Sequence, residues 1–373
     1  MSTVMLRFAE PDLRRFSEAV LSRLGAPAAE AAVVTDSLID ADRRGVHTHG
    51  LVRLPSYCNL MRSGEVVLGV IPRISPEDGA VGMIDGRRGF GAVLGTYAVD
   101  QAILRAGRHG VALVTVRDAN HFGAAAYYAR RAANAGMVAV AATNTPAVMA
   151  PSGGAGPRLG NNPFSIAAPM PAGRPPFVLD MAQTAVSRGR IKLAEMAGVA
   201  IPQDWALAPD GSATTDPTEA LAGALLPFGG YKGYGLALGV ELLAGVLSGA
   251  SLSPELVNTG MTGRRSTVTG EIPNSAVGNA YLVVDPEAFV GRDEYVVRMG
   301  RLADAIKATP SAPGVAEVLL PGELEARSEV EANRAGVALD PSGVDALERL
   351  GREHRLELPA RVNGAGEGVG AGV

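Results

Sequence analysis

The sequence predicts an α/β fold, and two observations carry that expectation. Between Pro72 and Pro169, short apolar runs alternate with longer windows of helical periodicity. The chain has 373 residues, 47% apolar and 19% charged, which suits a large packed core rather than a disordered chain.

Taken in order, the first element is a helix opened by Pro11, a residue tolerated in a first turn, with Leu13, Phe16, Val20, Leu21 and Leu24 at helical spacing. Gly25 and Pro27 stop it. A second helix covers 28–42, with Val33, Val34, Leu38 and Ile39 on its apolar face, and ends at Gly45. Runs at 80–84, 111–116, 137–142 and 164–168 read as strands, and 96–108 and 124–135 as the helices between them. Residues 200–217 (IPQDW, PDG, TTDP) form a turn-rich excursion. The window 234–250 is a long, nearly uncharged helix, expected to be buried with Glu241 exposed or paired. A strand at 280–284 and helices at 294–308 and 342–354 follow. The tail, 359–373, is glycine-rich from Asn363 and is expected to be disordered. No internal repeat is present.

Charge and cysteine usage narrow the function classes. A net charge of -4 gives no electrostatic reason to expect nucleic acid or an anionic membrane as partner. The start, MSTVMLRFAEPDLRRF, reaches charge and proline too early for a signal peptide, and no apolar window is long enough to span a bilayer. Cys58 is the single cysteine, which rules out an intrachain disulfide and a cysteine zinc cluster. A cytoplasmic protein is the expectation. Only Lys192, Lys232 and Lys307 among the 34 basic residues are lysines, so each draws attention in an arginine-biased chain.

Four stretches could carry chemistry. RRGVHTHGLVRLP (43–55) holds His47 and His49, but a zinc site needs a third ligand, no H-E-x-x-H or acidic cluster lies near, and no metal is expected. If Thr48 caps a short helix that Pro55 ends, His49 and Arg53 lie at i and i+4 on one face. An imidazole would then exchange a proton beside a guanidinium that holds a carboxylate. An ordinary capped helix with a solvated Arg53 fits the same spacing. ANHFGAAAYY (119–128) puts His121 at a strand-to-helix turn, with Gly123 allowing close backbone approach. A reactive group and a capping histidine are both compatible with it. PFGGYKGYG (227–235) embeds Lys232 among glycines, as either a diphosphate cradle or a hinge. LPGELE (320–325) offers a carboxylate on a tight turn, suitable for ribose hydroxyls. A fifth stretch, DGRRGFGAVLG (85–95), spaces Gly89, Gly91 and Gly95 as G-x-G-x-x-x-G, near the Rossmann fingerprint but not on it. Asp85, Arg87 and Arg88 also stand where a buried strand should enter that turn.

Together, RGVHTHGLVRL, NHFGAAAYY, NTPAVMAPSGG, GNNPFSIAAP, LDMAQT, GGYKGYGLAL and LPGE resemble, in order, the malate/L-lactate dehydrogenase family, across residues 6–335. The resemblance implies a non-Rossmann, mixed-sheet dinucleotide-binding core with N- and C-terminal helices packed together. It divides the chain into a helical segment, 1–72, packed with 300–358, and an NAD(P)-binding and catalytic α/β core, 73–299. It implies hydride transfer between NAD or NADP and a 2-oxo acid or cyclic imino acid. The substrate would be a small carboxylate, and the protein a homodimer with active sites near the subunit interface.

Position by position, Thr48 and His49 match the family's Ser-His pair, and Arg53 its carboxylate-binding arginine. His121 matches the histidine assigned the proton role in some members, so both histidines are carried as catalytic. Asn161 falls at a substrate-contacting position. His121, Phe122, Gly123, Thr145, Asp180, Met181, Lys232, Gly233, Pro321, Gly322 and Glu323 match cofactor-contacting positions. The glycine cluster 89–95 becomes a structural turn. His47 stands where the family has aspartate, Asn161 where it has threonine, and AQT (182–184) where it has ATS. These departures suggest an unusual substrate preference or, as the alternative, a catalytically inactive dinucleotide-binding homologue.

Overall fold

In the computed structural model, which describes residues 5–257 and 276–362, residues 6–8 pair with 337–339 and 361. Strand β1 (Leu6–Phe8) leads into α1 (Glu10–Arg23) and α2 (Ala28–Arg43). The apolar stripe of α1 buries Leu13, Phe16, Val20 and Leu21, as its spacing requires. Helix α3 (Leu54–Ser63) completes the N-terminal group. After β2 (Ile74–Ser75) and β3 (Val81–Asp85), helix α4 (Gly91–His109) precedes β4 (Val111–Ala119), and α5 (Ala125–Asn134) precedes β5 (Val138–Thr143). Strands β6 (Phe164–Ala168) and β7 (Phe177–Met181) are followed by α6 (Arg188–Ala197), β8 (Ala206–Leu207), α7 (Pro217–Ala222), β9 (Ala224–Leu225) and α8 (Tyr231–Glu241). The chain closes with β10 (Val277–Val284), α9 (Arg292–Lys307), α10 (Glu323–Ala335), β11 (Val337–Leu339) and α11 (Pro341–His354).

Seven strands form one mixed sheet in the order β2-β3-β4-β10-β5-β6-β7. Only β3 and β4 run parallel; every other neighbouring pair is antiparallel. A doubly wound Rossmann sheet is parallel throughout its core, so this sheet is of another kind. The late strand β10 enters the middle, with Tyr281 opposite Val114 on one side and Ala141 on the other. Its ring, with Tyr128 and Phe122, fills the core over the sheet.

The terminal helices share a second core. Phe8, Leu13, Leu38, Leu54 and Tyr57 pack with Val337, Leu339, Leu347 and Leu350, and β1 pairs with β11. Phe90 and Ala92 join this cluster, so the helical group and the sheet share side chains. Helix α9 stands apart from it, tied to the β6–β7 connection by Arg174 and Asp304 at 2.5 Å. Arg361 bridges to Phe8, and the Val362 N–H donates to the Arg7 carbonyl at 2.8 Å. That backbone pairing places residues 359–362, contrary to the expected start of disorder at 359; residues 363–373 lie outside the described residues.

Two further expectations need correction. Helix α4 begins at Gly91, five residues before the expected start, so most of the glycine cluster is helix rather than turn. Gly91 packs on the carbonyls of Asn120 and His121, where any Cβ would overlap them. The window 234–250 is helical only through Val246, where α8 has passed into a π-helical turn, Leu242–Val246, and one face is open rather than buried. Its period marks an apolar stripe but cannot say what covers that stripe.

Candidate active site

The segment 47–57 builds one wall. After α2, His47–His49 and Leu51–Arg53 form two 3-10 turns that feed directly into α3. Pro55 therefore opens a helix instead of ending one, because a first turn has no use for the missing N–H. Buried Asp42 anchors the turns: its Oδ2 accepts the Leu51 N–H at 2.7 Å and its Oδ1 lies 2.9 Å from His47 Nδ1. Gly50 rests on that carboxylate, where no side chain would fit. Burial opposes charging of His47, but the hydrogen bond and charge of Asp42 outweigh it and raise its pKa. His47 is thus committed to Asp42.

His49, two residues on, lines a cavity of about 320 Å³ with Thr48 and Arg53. Thr48 Oγ1 is 3.1 Å from His49 Nδ1, and Arg53 Nε donates to the Thr48 carbonyl at 2.6 Å. Thr48 is not the expected helix cap, since its side chain makes no capping hydrogen bond and faces the imidazole.

The turn from β4 to α5 builds the second wall. Asn120 holds it by donating to the Arg88 and Glu65 carbonyls, at 2.8 and 3.1 Å. His121, Phe122 and Gly123 face the same cavity. The Tyr57 hydroxyl lies 2.8 Å from His121 Nδ1. The His49 and His121 rings are nearly parallel, with centroids 6.0 Å apart. Burial, then the Arg53 charge, lowers His49 to about 4. Burial, with His49 and Arg53 adding to it, holds His121 well below the ordinary imidazole value. Burial raises Tyr57, which keeps its proton. At neutral pH the wall therefore presents two neutral imidazoles, a phenol and a guanidinium.

A third wall comes from the loops after β5 and before β6. Thr145 Oγ1 donates to Asn161 Oδ1 at 2.8 Å, and the Thr145 N–H to Asn162 Oδ1 at 3.0 Å. Buried Glu241 ties these loops together. It accepts from Asn144 Nδ2 (3.2 Å), Asn162 Nδ2 (2.7 Å), the Ser253 N–H (2.7 Å) and the Ser253 hydroxyl (2.6 Å). Of the two states expected for Glu241, it adopts the paired one. Thr184, Ser187, Arg188 and Gly189 are also part of the lining. Among the described residues no cluster of three metal-ligating side chains occurs.

The cavity thus brings together Thr48, His49, Arg53, His121, Phe122, Gly123, Thr145 and Asn161. It does not include Asp180, Met181, Lys232, Gly233, Pro321, Gly322 or Glu323. Asp180 and Met181 end the edge strand β7, and the neighbouring loops attach along the same stretch. The Val178 N–H donates to the Pro321 carbonyl at 3.0 Å, the Ala126 N–H to Asp180 Oδ2 at 3.1 Å, and the Phe228 N–H to the Gln183 carbonyl at 3.0 Å. Asp180 is exposed at the end of β7, and desolvation by the protein packed around its carboxyl, only partly offset by the Ala126 N–H, raises it to about 6. Pro321 and Glu323 line a separate cavity of about 240 Å³ with Arg174 and Lys307, and Glu323 pairs with Lys307 at 2.7 Å.

This donor set fits a nicotinamide dinucleotide. The exposed ammonium of Lys232 follows Gly229 and Gly230, both with positive φ, at the start of α8, a surface suited to a diphosphate. Asp180 and Glu323 offer carboxylates of the kind that hold ribose hydroxyls.

A model of the malate/L-lactate dehydrogenase family matches residues 8–348. The chain belongs to that family. It is 36% identical to the L-sulfolactate dehydrogenase of Methanocaldococcus jannaschii, over 91% of this chain and 94% of that one. It is 35% identical to the Delta(1)-pyrroline-2-carboxylate reductase of Ancylobacter novellus, over 93% and 98% respectively. The solved malate dehydrogenase of Pyrococcus horikoshii superposes with a TM-score of 0.84 at 32% identity, covering 95% of this chain and 97% of that one. As a member of the malate/L-lactate dehydrogenase family, the protein is an NAD(P)-dependent oxidoreductase that interconverts 2-oxo and 2-hydroxy acids, or cyclic imino acids and their reduced forms. No helix among the described residues is long and apolar enough to cross a membrane.

Proposed function

We propose that His121 exchanges the substrate's proton while Arg53 holds its carboxylate, with Asn161 and Thr48 beside the substrate. The observation that carries this reading is the parallel His49–His121 pair sharing one cavity with Arg53, with Tyr57 set on His121 Nδ1. In the tautomer with Nδ1–H aimed at the Tyr57 oxygen, Nε2 keeps a lone pair for the hydroxyl proton of a 2-hydroxy acid. The neutral imidazole favoured by burial is the form a base requires. A carboxylate seated on Arg53 would offset the charge that disfavours imidazolium, so substrate binding prepares His121 to receive the proton. His49 borders the site, with the Thr48 hydroxyl 3.1 Å from its Nδ1. In reduction the same proton returns to the developing alkoxide.

A bound nicotinamide dinucleotide supplies or accepts the hydride. His121, Phe122, Gly123 and Thr145 would border its reactive end. Asp180, Met181, Lys232, Gly233, Pro321, Gly322 and Glu323 would hold the rest along β7. A homodimer fits the exposed stripe of Tyr231, Leu238, Leu242 and Val246, because an apolar ridge of this length is unfavourable in water. A cytoplasmic setting fits a single, buried, free cysteine that asks for no oxidising compartment.

The test is loss of reduced-nicotinamide absorbance across a panel of 2-oxo acids and cyclic imines, with NADH and NADPH in turn. Turnover names the substrate and the cofactor. Enhanced NAD(P)H fluorescence on binding, with no turnover at any pH, would instead establish the inactive homologue.

A further inference from the structure

We propose that Asn161 donates its amide N–H to the reacting oxygen of the substrate, and that this donor selects open-chain 2-oxo acids against cyclic imines. This role rests on the reading above, with Arg53 on the carboxylate and His121 on the proton. Asn161 lines the same cavity as both groups. Among the described residues that line it, none is Asp or Glu.

The surrounding hydrogen bonds set which end of the amide is free. The Thr145 hydroxyl accepts the Asn162 N–H at 3.4 Å and has one proton to give. Asn162 Oδ1 already accepts the Thr145 N–H at 3.0 Å and lies 3.4 Å from that hydroxyl, whereas Asn161 Oδ1 lies at 2.8 Å. The proton therefore goes to Asn161 Oδ1. Asn161 Nδ2 is left without a partner among the described residues, and it is the amide end that this half-buried side chain keeps for the cavity. The backbone is held as well: the Asn161 carbonyl accepts the Gln183 N–H at 2.9 Å. Gly160 sits so close to the Thr145 carbonyl and hydroxyl that a Cβ would lie 2.3 Å from each. A hydroxyl at position 161 could donate or accept, but this amide only donates.

That asymmetry matters at the reacting centre. When a 2-oxo acid is reduced, C2 gains the hydride of the reduced nicotinamide, the C=O π pair moves onto oxygen, and that oxygen takes the His121 proton. An N–H aimed at the oxygen binds more strongly as negative charge grows, so it favours the transition state over the bound substrate. The reactive form of a cyclic imine is protonated on nitrogen. Its C=N π pair moves onto an atom that already carries its proton, and positive charge disappears there. An amide N–H facing that N–H sets donor against donor, and no carboxylate of the described lining offsets the repulsion from Arg53.

The experiment compares kcat/KM for pyruvate, 2-oxobutanedioate and 2-oxopentanoate with that for 1-pyrroline-2-carboxylate, in the wild type, Asn161→Thr and Asn161→Ala. 2-Oxopentanoate and the pyrroline have the same carbon count, so that pair differs mainly at the reacting atom. The wild type should favour the best 2-oxo acid over the imine by about 10-fold or more, and Asn161→Thr, which restores an acceptor, should shrink that ratio by about 10-fold. Asn161→Ala should lower the 2-oxo-acid value by about 100-fold and the imine value by less. A wild type that prefers the imine, or a ratio that neither variant shrinks, overturns the inference while leaving the reductase reading intact. If neither class is turned over, the reductase reading fails, and calorimetric titration with oxamate, a carbonyl acceptor, against pyrrole-2-carboxylate, a ring N–H donor, decides the role of the amide by itself. Tighter oxamate binding that Asn161→Thr levels would support the donor; equal binding, or a difference the variant leaves alone, would overturn it.

Discussion

In segment 47–57 the polar side chains turn inward, and in segment 231–247 the apolar ones turn outward. Along the first, two 3-10 turns pinned to buried Asp42 direct His49, Arg53 and Tyr57 toward the candidate cavity or the imidazole on its far wall. Along the second, α8 and its π-helical continuation bury Glu241 among four donors while Tyr231, Leu238, Leu242 and Val246 stay exposed. Both segments carry residues at helical spacing. The difference shows that spacing selects which side chains share a face, while the surrounding elements decide whether that face meets a cavity, a core or solvent.

The most forceful way to break this comparison is at the inward face. His121→Asn should lower kcat by about 10²–10⁴-fold while NAD(P)H binding, followed by fluorescence, persists. A near-wild-type rate, together with collapse in His49→Asn, would move the proton role to His49. Because burial holds His121 below its ordinary value, the neutral base is already present at neutral pH. kcat/KM for 2-hydroxy-acid oxidation should therefore stay level through neutrality and fall only in acid, below the free-imidazole range.

At the outward face, Leu242→Glu places a charge in the exposed stripe. Sedimentation should show self-association weakened by about 30-fold or more. Unchanged association would mean that the stripe is not the contact between copies.

The smallest effect sharpens the contrast within HTH itself. His47 and His49 are two residues apart, yet Asp42 raises one pKa while burial beside Arg53 lowers the other. A raised folded-state value stabilises the protein in full below the unfolded imidazole value and is lost as pH rises through the folded one. His47→Gln should thus cost about 1 kcal/mol in urea unfolding near pH 6, and clearly less at pH 9. A pH-independent cost would reject the charged pair with Asp42.

Much of the inner wall was legible. The sequence singled out His49 and Arg53, and His121 after a strand and before a glycine, and all three line one cavity; but the single helix expected to align His49 with Arg53 is two 3-10 turns. Tyr57 continues the same series at Arg53 plus four and could have been found by extending it past Pro55. Treating that proline as a stop hid it, although α3 opens there. Arg188 carried no signal beyond being one arginine among many; the fold places it in the cavity lining while Arg190 stacks over Trp205. Asn162, beside Asn161, was not singled out; its bond to Glu241 spans 79 positions of sequence and follows no local period.

The sequence by itself determined the α/β class, the amphipathic helices at both ends, the family motifs in their order and the residue types that carry the chemistry. These follow from local periodicity, turn chemistry and short-range spacing. Only the tertiary structure decided that β10 lies in the middle of the sheet and that Tyr57 meets His121. It alone gave His47 to Asp42 and left one face of α8 open. Each of these depends on pairing or burial between residues far apart in the chain, where the free energy comes from desolvation and non-local hydrogen bonds that no local pattern encodes.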